Sequence, residues 1–120
     1  MECAYFRDDL CSSCPSIETA YTAQVQAKQE HARALLANYP QLQWLDPVTS
    51  AEAGFRNKAK LVVGGSAKNP TLGIVDYRTG ASTDLGECPL YMEPIQAAIP
   101  VLRELIQRAG LTPYDISNRR

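Results

Sequence analysis

Three stretches of patterned apolar and polar positions divide this chain. In the first, Tyr21, Val25, Ala32, Leu35, Leu36 and Tyr39 recur at helical spacing, while Gln26, Gln29, Glu30 and Arg33 fall on the opposite, solvated face. The spacing predicts a helix that begins at Ile17 or Thr22 and ends at Tyr39, with Ser16 or Thr22 as N-cap and Pro40 as stop. His31, the sole histidine, reads as a surface residue of that helix. Trp44 and Leu45 follow as expected core anchors, ahead of the turn signal Asp46-Pro47 and a polar run to Gly54.

The second stretch has period two. From Phe55 to Val63, alternate positions read Phe55, Asn57, Ala59, Leu61, Val63 on one side and Arg56, Lys58, Lys60, Val62 on the other, which predicts a strand. Gly64-Gly65-Ser66 fits neither G-x-G-x-x-G nor G-x-x-x-x-G-K-[ST], and Ala67-Lys68-Asn69-Pro70 signals a turn, so these glycines are expected to bend a hairpin. A second strand over Thr71 to Tyr77, a turn at Arg78-Thr79-Gly80 and a short third strand before Asp84 complete an antiparallel meander.

The third stretch is helical again. Ile95, Ala98, Ile99, Leu102, Leu105, Ile106 and Ala109 form a stripe from Glu93 onward, with Pro94 suited to the first turn and Gly110 to the C-cap. Pro100 is expected to kink this helix or split off its first turn, and Leu111 to Ile116 reads as the start of another strand. The predicted fold is α+β: a small antiparallel sheet with two flanking helices in a single domain over residues 1–120. Its parts are a cysteine-bearing tail (1–16), a helix (17–45), the meander (55–88) and a second helix (92–110).

Composition narrows the function classes. A chain of 120 residues has room for one core, and its longest apolar runs are far too short to span a membrane. The beginning Met1-Glu2-Cys3 shows no basic n-region or apolar h-region, which predicts a cytoplasmic protein in a reducing compartment. A formal net charge of −1 excludes a globally basic nucleic-acid binder, so any such role rests on a local patch. Arg56, Lys58 and Lys60 form one. Cations at every second strand position lie about 6.6 Å apart, comparable with phosphate spacing along a nucleic-acid backbone. A solvated strand face has the same pattern.

The four cysteines are Cys3, Cys11 and Cys14 in the tail and a distant Cys88 followed by Pro89. Four soft ligands are enough for a tetrahedral metal or an iron–sulfur site that ties the tail to the middle of the chain. Two disulfides, or plain buried thiols, use the same residues. Zinc and iron–sulfur both accept four thiolates; the lone C-x2-C pair and the Cys-Pro ligand lean toward iron–sulfur.

Met1-Glu2-Cys3 through Cys14, Gly54-Phe55-Arg56-Asn57-Lys58-Ala59-Lys60, Cys88-Pro89-Leu90-Tyr91 and Arg108-Ala109-Gly110-Leu111-Thr112-Pro113-Tyr114, taken in order, closely resemble the N-terminal part of bacterial 23S ribosomal RNA uracil-C5-methyltransferases. The match is best to the type that lacks an N-terminal TRAM domain and starts directly at the cluster cysteines. The resemblance implies that Cys3, Cys11, Cys14 and Cys88 bind a [4Fe–4S] cluster, and that Phe55 to Lys60 lies in a region contacting 23S ribosomal RNA. Arg56, Lys58 and Lys60 then become candidate RNA contacts.

The family's C-terminal Rossmann-like domain holds S-adenosylmethionine, a nucleophilic cysteine in a Ser-Cys-Asn context and a glutamate base. No Ser-Cys-Asn occurs in these 120 residues, and Ser13-Cys14-Pro15 belongs to the tail. The expectation is a monomeric, non-membrane, cluster-bearing and RNA-recognising part of such an enzyme, without its catalytic domain, which would lie elsewhere or be separately encoded. The alternative is a freestanding, non-catalytic RNA-binding module stapled by iron–sulfur or zinc.

Overall fold

The computed structural model describes residues 1–76 and 80–113. The described elements run α1 (Ala4–Arg7), α2 (Tyr21–Leu35), β1 (Val62–Gly65), β2 (Pro70–Val75), β3 (Ser82–Asp84) and α3 (Glu93–Arg108), an α+β arrangement. The sheet is the expected antiparallel meander in the order β1-β2-β3. Val63 pairs with Leu72 and Gly65 with Pro70 on one side of β2, and Gly73 with Asp84 and Val75 with Ser82 on the other.

The core lies where α3 crosses β2. Leu72, Tyr91, Ile99 and Ile106 are buried together, with Ala59, Leu61, Val63, Cys88 and Ile95 packed against them. The helix sequence explains both ends. Pro94 needs no hydrogen-bond donor in the first turn, and Glu93 suits the positive end of the helix dipole. At the other end Gly110 takes φ 61°, so that its N–H reaches the Gln107 carbonyl and the Leu111 N–H reaches that of Ile106, both at 3.1 Å. Arg103 reaches from α3 to the Asp84 carboxylate, which also accepts from the Gly86 N–H at 3.1 Å and thereby pins helix to sheet.

Several expectations are corrected. The strand predicted from Phe55 is confined to Val62–Gly65. Residues 54–56 spend their backbone groups elsewhere: the Gly54 N–H donates to the Pro89 carbonyl (2.9 Å), the Arg56 N–H to Leu90 (2.8 Å), and the Met92 N–H to Arg56 (3.1 Å). Gly64 and Gly65 are strand residues, and the turn is made by Ser66 and Asn69, which exchange backbone hydrogen bonds at 3.1 Å. α3 is not split, because Ile95, Ile99 and Ile106 hold it to the core on both sides of Pro100. A short extra helix, α1, lies in the tail. Leu111 to Pro113 form no strand; Tyr77, Arg78, Thr79 and Tyr114 to Ile116 lie outside the described residues.

The first predicted helix is shorter than its periodicity suggests. It starts after Ala20 with no side-chain cap and ends at Leu35, because the residue before Pro40 is driven out of helical conformation and the chain turns early, with Tyr39 N–H bonded to the Leu36 carbonyl at 3.0 Å. None of its residues is buried. Trp44 and Leu45 are not core anchors: they are 42% and 78% exposed. The 40–50 segment instead runs back along α2, with Arg33 5.6 Å over the Trp44 ring and the Ser50 N–H donating to the Tyr21 hydroxyl at 2.9 Å. The molecule is accordingly elongated, 59 × 31 × 27 Å, with a radius of gyration of 19.1 Å. A compact domain of this length has about 13–14 Å.

Candidate metal centre

The tail is folded so that its cysteines return to one place. Cys3 precedes α1 in extended conformation, and α1 lasts one turn. Asp9 then takes φ 55°, a left-handed conformation that Asp tolerates better than most residues, and reverses the chain. The Tyr5 carbonyl accepts from both the Leu10 N–H (2.8 Å) and the Cys11 N–H (3.0 Å), which brings Cys11 back to α1. The Cys14 carbonyl accepts from the Ile17 N–H at 3.1 Å, opening the next turn.

Cys88 comes from the opposite direction, in the turn between β3 and α3. Its N–H donates to the Leu85 carbonyl and its own carbonyl accepts from the Tyr91 N–H, both at 3.1 Å. Residues 54–56 hold this turn from outside through the bonds given above. The Glu87 N–H donates to the Tyr5 hydroxyl at 3.1 Å, joining tail to turn.

All four predicted ligands, Cys3, Cys11, Cys14 and Cys88, line one cavity of about 270 Å³, together with Tyr5, Phe6, Leu85 and Tyr91. Every one is half-buried and none is in a disulfide. Arg56, Lys58 and Lys60 line the same cavity, so the basic residues and the cysteines form one site, not two. A neighbouring cavity of about 450 Å³ shares Met1, Ser13, Cys14, Arg56 and Leu90 and is otherwise lined by groups such as Tyr21, Lys28 and Phe55.

The thiols feel each other. Burial pushes Cys14 up, and Cys11, Cys88 and Cys3 add to the rise while Arg56 opposes it. Burial likewise pushes Cys88 up, against a backbone hydrogen bond at Leu90 and the Arg56 charge, with Cys3 and Cys11 raising it further. Tyr91 is raised by burial and by Cys88, and lowered by Arg56.

Among the described residues, no three His, Cys, Asp or Glu side chains converge closely enough to hold one metal ion. A zinc–sulfur bond of about 2.3 Å would require tetrahedral sulfurs about 3.8 Å apart. A cubane cluster spaces its four thiolates far more widely. Four half-buried thiols around a partly apolar cavity are a donor set that fits it.

The sequence missed Tyr5, Leu90 and the 54–56 clamp. Nothing in the spacing of a single tyrosine or of a backbone N–H marks them.

The whole chain is similar to three curated proteins named 23S rRNA (uracil(747)-C(5))-methyltransferase RlmC. It is 42% identical to that of Serratia proteamaculans, 43% to that of Yersinia pestis and 42% to that of Yersinia enterocolitica, over 120 residues in each case. The chain spans 32% of the length of these relatives. The family resemblance read from the cysteine and Phe55–Lys60 motifs is thereby supported along the entire chain. No protein-family model matches, and no solved structure matches. Among the described residues, no helix is long and apolar enough to cross a membrane.

Proposed function

We propose that this chain is the N-terminal, cluster-binding and RNA-recognising part of an S-adenosylmethionine-dependent methyltransferase that forms 5-methyluridine in 23S ribosomal RNA. The observation that carries the reading is the joint one: four cysteines and three cations on one cavity, in a chain 42–43% identical throughout to RlmC proteins.

Cys3, Cys11, Cys14 and Cys88 hold a [4Fe–4S] cluster in the cavity. The cluster supplies a rigid, thiolate-bound joint between parts of the chain that are distant in sequence, and methyl transfer to uracil requires no redox step from it. The chain's own residues prepare that joint: Asp9 reverses the tail, Tyr5 ties it to Glu87, and residues 54–56 fix the Cys88 turn. Lys58 and Lys60 are exposed at the rim of this joint, where their ammonium groups meet RNA phosphates. They position the RNA without reading its bases. Cofactor binding and the covalent chemistry at uracil belong to a methyltransferase domain outside these residues, whether in the same polypeptide or separately encoded. The protein works as a monomer in the cytoplasm.

Titrating the cluster-loaded chain against a 23S ribosomal RNA hairpin at several salt concentrations tests this reading. Replacing Lys58 and Lys60 by Ala weakens binding similarly across sequences and flattens the salt dependence of log affinity by about 1.4, near 0.7 per lost single-strand contact. Unchanged affinity and slope would contradict the RNA role.

A further inference from the structure

Arg56 is set apart from Lys58 and Lys60, the other two cations of the irregular segment before β1. Its backbone is bonded on both sides to the segment after Cys88, through Leu90 at 2.8 Å and Met92 at 3.1 Å, and it forms an isolated parallel bridge with Tyr91. Exposed like Lys58 and Lys60, it is nevertheless the one cation of the three that lines both the cysteine cavity and the neighbouring one at Cys14. It makes no ion pair with a described carboxylate.

Four thiolates around a cubane core leave a net negative charge, which grows by one unit on reduction. Placing that charge in a half-buried cavity is costly unless a fixed cation faces it. A guanidinium suits the task because it is always charged, weakly hydrated and planar. We propose that Arg56 is the counter-cation of the cluster cage: it stabilises the assembled cluster and eases its reduction. The three cations then divide their roles, with Arg56 serving the cluster and Lys58 and Lys60 the RNA. This inference rests on the cluster reading above.

The test compares the parent chain with Arg56→Gln and Arg56→Lys, each reconstituted anaerobically with iron and sulfide. Three quantities are read: iron per chain, the rate of bleaching in air, and the cluster's reduction potential. Arg56→Gln holds less iron, bleaches faster and shifts the potential downward, since loss of a cation disfavours the more negative state; Arg56→Lys stays near the parent. If Arg56→Gln loses the cluster altogether, retention by Arg56→Lys still supports the charge role. Equal retention and potential in parent and Arg56→Gln would overturn the inference while leaving the cluster reading intact. So would equal failure of both variants, which would assign Arg56 a role of shape. A parent chain that takes up no cluster would overturn the underlying reading, and this inference with it.

Discussion

The backbone N–H of Glu87 donates to the Tyr5 hydroxyl at 3.1 Å, so a residue between Cys3 and Cys11 is held against the residue just before Cys88. This bond joins the tail to the turn through the chain's own atoms. Tyr5→Phe keeps the ring and removes the acceptor. It is expected to cost about 1 kcal/mol and to slow iron uptake, seen as a lower denaturation midpoint and slower reconstitution. An unchanged midpoint and rate would show that tail and turn align without it.

Gly73 lies in β2 between both neighbouring strands, and a Cβ there would run into the Thr83 carbonyl oxygen and come within 2.8 Å of the Leu85 nitrogen. Both are backbone atoms that cannot swing aside. Gly73→Ala therefore pushes β3 off β2 and is expected to destabilise the chain by about 2–3 kcal/mol, read by urea denaturation. A loss below a few tenths would mean that β3 is free to move.

These two positions illustrate what the sequence could and could not disclose. α3 was legible almost to the residue, because Pro94, the apolar stripe and Gly110 each act locally. The order of the meander was legible too, since turn residues separate its strands. The length of β1 was not: alternation from Phe55 to Val63 tells which side chains share a side, but not that Gly54 and Arg56 bond to the 89–92 segment. Likewise the periodicity of α2 marks an apolar face without saying what covers it, and Leu35 and Leu45 stay exposed. The four cysteines were recognisable as a set from residue type alone. That the cations share their cavity depends on the path of the 54–61 segment, which no local pattern encodes.

Burial pushes the Cys14 and Cys88 thiols up, and the Tyr5 and Tyr91 phenols with them. An acid whose folded pKa exceeds its unfolded one keeps its proton longer in the folded state. Stability of the metal-free chain is then full below the unfolded thiol value, about 8.5, and falls as pH rises above it. Bound metal removes this loss for ligand thiols, which are already thiolates. The melting temperature of the metal-free parent is expected to drop between about pH 7.5 and about pH 9.5 by more than that of the Cys14→Ser, Cys88→Ser double variant. Equal drops would show that these thiols are not held protonated by the fold.

The cluster assignment is tested most directly by counting metal and sulfide in the anaerobically purified 120-residue chain, alongside Cys88→Ser. The parent protein is expected to be brown, with about four irons and four inorganic sulfides per chain, and the Cys88→Ser variant to retain less iron and melt lower. Colourless parent protein carrying stoichiometric zinc under those conditions, or a Cys88→Ser variant with full iron and an unchanged melting temperature, would contradict it.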